Sequence, residues 1–253
     1  MHPNHDLSTL PGNTFAAPAA TTPKAPRADL YGPIHKALRA WMAHTLQRVG
    51  TMDVHDAEQR VQVLDDVTGL LQMLRNHLAH ENDFMHTAIE ARRPGGARHT
   101  ADDHLVHGDA IANLDDEVAA LRVAHDTHGE LLAARLYRHL AQFVGENLVH
   151  MHIEETQNNA TLWALYSDAE LGALHDRLVA SIPPAEMAQV VRWFAVALSV
   201  RELAGMFSDM QTKAPPPAFE AMLDVARTQL DDRRWAQLAR ALGRPPVPGL
   251  VTA

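Results

Sequence analysis

Two H-x-x-x-E motifs constrain this chain more than any other feature: His77 and Glu81 in LLQMLRNHLAHENDF, and His150 and Glu154 in GENLVHMHIEETQN. Residues at i and i+4 lie one above the other on a helix face, so each motif points an imidazole nitrogen and a carboxylate at one place. His104 and His107 stand at i and i+3 in TADDHLVHGDAIANL, again on one face, and His35 in YGPIHKALRAW supplies a fifth imidazole. As isolated surface pairs, the two motifs would add only about 0.2–0.5 kcal/mol of helix stability each. Their occurrence beside three more histidines favours a shared site instead. Of the 17 histidines, 14 fall between residues 35 and 152, a concentration that a solvated histidine-rich surface does not require.

Composition narrows what can surround such a site. Hydrophobic residues make up 46% of the 253-residue chain but aromatics only 5%, so the apolar material is mainly Ala, Leu, Val and Met, the residues of packed helices. This predicts an all-α protein. A formal charge of −9 with no basic stripe argues against nucleic acid. Without cysteine, disulfides, thiolate catalysis, iron–sulfur clusters and Cys-type zinc sites are excluded, and any metal must be held by nitrogen and oxygen. No apolar run approaches the roughly 20 residues that span a bilayer, and no secretory signal pattern opens the chain. The expectation is a soluble cytoplasmic protein that binds neither membrane nor nucleic acid.

Along the chain, residues 1–29 are rich in Pro, Ala and Thr without apolar period and read as a mobile, disordered leader. Helical signals begin at Asp29 or Tyr31 and run to Gly50. A long amphipathic segment follows from about Asp56 to Arg93, with Val61, Leu64, Val67, Leu70, Leu71, Leu74 and Leu78 on its apolar face, stopped by Pro94, Gly95 and Gly96. A third helix is predicted from near Thr100, whose hydroxyl suits an N-terminus, to about Ala124, and a fourth from about Glu130 to Leu165. Short connections predict an antiparallel up-down-up-down four-helix bundle over residues 30–165. Residues 166–253 read as a C-terminal helical extension packed on the bundle: a short helix, a Pro-Pro break, one longer helix, and short helices around Pro217–Gln229 and Asp231–Leu242.

In such a bundle each long helix brings at least one donor to the interior. Five imidazoles and two carboxylates suit two first-row metal ions with a position left for a small ligand, and carboxylates are natural bridges between cations. The nitrogen-rich set favours iron over magnesium or calcium. Ferritin-like di-iron bundles use Glu-x-x-His with carboxylates in excess, the reverse of this order. A zincin reading fails because His80-Glu81 is not followed by the second His of H-E-x-x-H.

The order of a lone His, H-x-x-x-E, His and H-x-x-x-E resembles the hemerythrin-like (HHE cation-binding) family over residues 30–165. The resemblance implies a four-helix bundle around a non-haem di-iron centre, two irons per chain, bridged by the carboxylates and an oxo or hydroxo group, with zinc as a substitute ion. It implies His35, His77, Glu81, His150 and Glu154 as metal ligands. On the third helix, Asp103-His104 matches the acid-His form of the motif while His107 shares its face, so both stand as ligands. The implied function is to bind, sense or react with a small diatomic ligand or peroxide, such as O2, NO or H2O2. Two further functions stand beside it. One is iron handling or repair of iron centres. The other is a helical interaction module whose partner binding is under redox control.

Overall fold

The computed structural model describes residues 27–124 and 126–245. All regular elements among them are helical, with no strand. The leader expected over residues 1–29 lies outside the described residues as far as residue 26. Its last three residues are in contact with the body: Arg27 Nη2 donates to the Tyr166 carbonyl at 2.7 Å, and Trp163 Nε1 donates to the Ala28 carbonyl at 2.8 Å. Asp29 Oδ1 accepts the backbone N–H of Tyr31 and of Gly32, each at 3.0 Å. These bonds satisfy donors that a helix N-terminus leaves open, so α1 begins at Gly32 and runs to Gly50, with Pro33 in its first turn where the missing N–H costs nothing.

Helix α2 spans Ala57–His80, capped by the Asp56 carboxylate on the N–H groups of Glu58 and Gln59. It continues without a break through a π-helical segment, π1 (Glu81–His86), into α3 (Thr87–Arg92). After the Pro94–Gly96 turn, where Gly95 takes φ 77°, come α4 (Arg98–Arg122) and α5 (Asp126–Ile153). Helix α5 in turn runs through π2 (Glu154–Asn158) into α6 (Asn159–Leu165). Thr100 does not cap α4, which starts two residues earlier. Its side chain is buried, with Oγ1 3.0 Å from His86 Nε2.

Helix α1 packs against α2 and α5, and α4 packs against the same two helices. Buried residues on α4 recur as Thr100, His104, His107, Ile111, Leu114, Val118 and Leu121, alternating steps of three and four that keep one face inward. Leu38, Met42, Leu64, Leu70, Leu71, Leu121, Leu136 and Leu140, all at most 1% exposed, make the main core; burial of each such side chain contributes roughly 1.5–3 kcal/mol. Val61 departs from its predicted place and is 52% exposed, because it lies in the second turn of α2, ahead of the core-facing run that starts at Val63. A smaller apolar cluster, with Tyr31, Met85, Ile89, Ala97, Leu162 and Leu171, packs beyond the two π segments. The polar residues of the H-x-x-x-E motifs fall between these two apolar layers.

The C-terminal helices are α7 (Asp168–Ser181), α8 (Pro184–Ala197), α9 (Val200–Lys213), α10 (Pro216–Arg227) and α11 (Asp232–Ala241). The single longer helix expected after Pro183-Pro184 is two helices. Ser199 ends the first and caps the second through a reciprocal box with Glu202. Helices α8 to α11 enclose their own core around Leu203, Phe207, Phe219 and Leu223. Helix α8 also lies on α1, where Trp193 stacks on Trp41 with ring centroids 5.0 Å apart. No helix among the described residues is long and apolar enough to cross a membrane.

Candidate metal centre

Six of the seven sequence-predicted donors converge in two overlapping groups. His35, His77, Glu81 and Glu154 form one; Glu81, His104, His150 and Glu154 form the other, and within each group the donor atoms lie within 4.8 Å of one another. The two glutamates belong to both. His35 Nε2 lies 3.4 Å from Glu81 Oε1 and 3.5 Å from Glu154 Oε2, and His77 Nε2 lies 3.2 Å from Glu81 Oε1. His104 Nε2 is 3.5 Å from both Glu81 Oε2 and Glu154 Oε1, while His150 Nε2 is 3.3 Å from Glu154 Oε2. Ligands bound at roughly 2.0–2.2 Å to one ion are spaced about 3.0–3.5 Å apart, the same range.

The outer partners fix which imidazole nitrogen faces inward. His35 Nδ1 meets Glu155 Oε1 at 3.1 Å, and Glu155 is held in turn by both guanidinium nitrogens of Arg39 at 2.6 and 3.1 Å. His150 Nδ1 meets Asp103 Oδ2 at 3.2 Å, and His104 Nδ1 meets Asn82 Oδ1 at 2.8 Å. In the neutral ring these acceptors favour the proton on Nδ1, which would leave the Nε2 lone pair for a metal at the centre, an arrangement characteristic of metal-bound histidine. His104 Nε2 and His150 Nε2 lie 3.0 Å apart, so with both protons on Nδ1 their lone pairs would face each other, a contact that a shared cation would turn from repulsive to favourable.

Further evidence of fit is what the protein leaves unbonded. Among the described residues, His77 Nε2, Glu81 Oε2 and both carboxylate oxygens of Glu154 are buried with no hydrogen-bond partner. A buried unsatisfied polar atom costs roughly 1–3 kcal/mol, and more when charged. Four together at one point match the donor set of a nitrogen- and oxygen-liganded metal site.

Without a cation the carboxylates and imidazoles shift one another strongly. Burial, then the charge of Glu154, pushes Glu81 up to about 7. Burial would raise Glu154 too, but the adjacent imidazoles of His104 and His150, with the charge of His35, outweigh it and hold that carboxyl below its ordinary range. His35 is disfavoured as a cation by burial, yet its bonds to Glu155 and Glu81 prevail and raise it to about 9. His77 is lowered by burial and by the charge on His35. The site therefore holds protons where metals would sit.

His107, the seventh predicted donor, stands beside this group rather than in it. Its ring lies edge-on to His150, centroids 4.8 Å apart, and Nδ1 is buried without a partner among the described residues. His86, which no spacing in the sequence singles out, is closer to the centre: it stacks on His104 at 4.7 Å and puts Nε2 4.0 Å from Glu154 Oε1. It lies five residues after Glu81, a spacing that an α-helix turns away but the wider π turn returns to the same side. The π segment was the missing signal.

Comparison with protein-family models, curated proteins and solved structures found no match to this chain. The donor geometry therefore carries the functional reading. The six donors are buried, none more than 8% exposed, and a cleft of about 520 Å3 between α1, α2 and α8, near Trp41, His44 and Trp193, includes none of them in its lining.

One further side chain touches the centre's flank. Tyr31 is fully buried against His35, ring centroids 5.5 Å apart, and its hydroxyl oxygen accepts Nδ2 of Asn158 at 3.4 Å. Burial, then the carboxylates of Glu154 and Glu81, keep its phenol protonated well above its usual range.

Proposed function

We propose that the protein is a hemerythrin-like, non-haem di-iron protein that binds, senses or reacts with a small ligand of the O2, NO or peroxide class. The observation that carries this reading is that Glu81 and Glu154 are common to both four-residue donor groups, as carboxylates bridging two ions must be. The contacts of α1 with α2 and α5, and of α4 with the same helices, support the antiparallel four-helix topology that the motif order implies. Bound iron would supply Lewis acidity and reversible one-electron chemistry at a position screened from water. The chain's own residues orient the imidazoles through Glu155, Asp103 and Asn82, and bury the pair between two apolar layers.

Anaerobic reconstitution with Fe(II), followed by metal analysis and an optical spectrum after oxidation, tests the proposal. Two irons per chain with the near-ultraviolet charge-transfer bands of a coupled iron pair are expected. One metal per chain, or none, would refute the binuclear reading.

A further inference from the structure

A line of polar side chains, buried except for the exposed Asn82 at its end, runs along one flank of the centre without ligating it. Asn158 Nδ2 donates to Tyr31 Oη at 3.4 Å and to Thr100 Oγ1 at 3.1 Å, and Thr100 Oγ1 lies 3.0 Å from His86 Nε2. His86 Nδ1 and His104 Nδ1 both reach Asn82 Oδ1, at 3.0 and 2.8 Å. Following the protons along this line, each donor finds an acceptor: Asn158 gives to Thr100, the Thr100 hydroxyl can give to His86 or to the Ala97 carbonyl at 3.1 Å, and His86 and His104 can give to Asn82. Tyr31 is the exception. Its oxygen accepts from Asn158, but its own O–H has no acceptor among the described residues, although the side chain is fully buried. A buried phenol almost always donates.

Packing alone does not explain this donor. A Phe would fill the same space against Met85, Ile89 and Leu162 without a hydroxyl to satisfy. Nor is the hydroxyl left to rotate at will, since the Asn158 amide pins its oxygen and is itself pinned by Thr100. The two carboxylates beside it, Glu81 and Glu154, are themselves the oxygens that would be occupied by metal. What remains is an acceptor that arrives with the ligand.

Resting on the di-metal reading above, we propose that Tyr31, held by Asn158, is the hydrogen-bond donor to the small exogenous ligand at this centre, and that the centre selects a hydrogen-bond-accepting anion of the peroxide or azide type. An apolar flank would bind a neutral diatomic through the metals alone. A fixed phenol donor adds a charge-assisted hydrogen bond that only an anionic or strongly polarised ligand can use.

The test uses the full-length, iron-loaded and oxidised protein with azide as the probe. Tyr31→Phe should retain two irons per chain while weakening azide binding about ten- to a hundred-fold, the effect of losing a hydrogen bond to a charged group. The azide stretching frequency of the native protein should move on transfer to D2O, and that shift should vanish in Tyr31→Phe. Asn158→Leu should give a smaller loss of affinity, because the donor remains but is no longer held. Equal azide affinity in native protein and Tyr31→Phe, or a D2O shift that persists in the variant, overturns the donor role and leaves the metal centre standing. Loss of iron in Tyr31→Phe, or a visible tyrosinate-to-iron band in the native resting state, would make Tyr31 a ligand and equally overturn it. If Tyr31→Phe does not fold, a native protein without a D2O shift decides against the proposal on its own. Native protein that binds no iron overturns both this and the centre.

Discussion

Glu81 and Glu154 meet at the centre as members of both donor groups, and each is the first residue of a π-helical segment. A π turn adds a residue to the helical repeat and brings positions that an α-helix would spread around its circumference to one side. Asn82 and His86 lie in the first of these segments, Glu155 and Asn158 in the second. These four residues bond His104, Thr100, His35 and Tyr31 respectively, so the widened turns that start at the shared carboxylates also supply the outer hydrogen bonds.

Because the two glutamates serve both groups, removing either should cost more than removing a terminal imidazole. Glu154→Ala is expected to reduce metal content from about two ions per chain to at most one, whereas His77→Ala retains a weakened pair. The metal-free protein should respond in the opposite sense at Glu81, where burial and Glu154 hold the carboxyl up at about 7. Glu81→Gln removes the cost of ionising that group and should stabilise the metal-free form at pH 8 by ~1–3 kcal/mol, a rise of several degrees in Tm. Calorimetry of metal-free and metal-loaded pairs checks both signs, and a fall in the metal-free Tm of Glu81→Gln would contradict the electrostatic account.

The outer acceptors should tune affinity without supplying a ligand. Asp103→Ala frees His150 Nδ1 and Asn82→Ala frees His104 Nδ1, and loss of such a partner typically weakens metal binding about 10–100-fold. Competition with a chelator measures this, and unchanged affinity in both variants would mean that the imidazoles are oriented by packing alone.

On the third helix, only His104 joins a donor group. His104→Ala is therefore expected to weaken metal binding and alter the binuclear spectrum, while His107→Ala keeps two metals at native affinity and shows at most a shifted band from the altered contact with His150. Metal analysis of the two variants discriminates between them; a reversed result would make His107 the ligand.

Much of this arrangement was legible in the sequence because spacing of three and four is a property of residue order alone: the H-x-x-x-E motifs and the run from His104 to Leu121 need no tertiary information. Helix starts written as local caps, such as Asp56, were equally accessible. The break at Ser199 was accessible too, since S-V-R-E carries the capping-box pattern, but the apolar residues on either side mimic one continuous helix. His86 was not legible, because the Glu81-to-His86 step of five carries no meaning unless the turn is known to be π-helical. Tyr31 stood one turn before His35 on sequence grounds. Its unmatched proton emerges only when Asn158, 127 residues away, is seen on its oxygen.

In the metal-free protein His35 is raised from 6.5 to about 9, so its bonds to Glu155 and Glu81 stabilise the fold fully below pH 6.5 and are lost as pH rises through 9. Integrated over that window, the contribution of this buried group amounts to as much as about 3 kcal/mol. Glu81, raised from 4.5 to about 7, destabilises the fold as pH rises from 4.5 through 7, a lower window, and His86 and His107, both lowered to about 4 by burial first, destabilise the fold only as pH falls below 6.5. Between pH 7 and 9 the change therefore belongs to His35 and to His150, which burial lowers but Glu154 and Asp103 raise above 6.5. The Tm of metal-free protein should fall across this range, and His35→Asn should flatten the decline. Metal binding has the opposite dependence, since imidazoles must shed their protons to ligate, so the Tm gap between metal-loaded and metal-free protein should widen with rising pH. Thermal melts at half-unit intervals measure both curves; a gap that narrows from pH 7 to 9 would show that protons and metal do not compete for His35 and its neighbours.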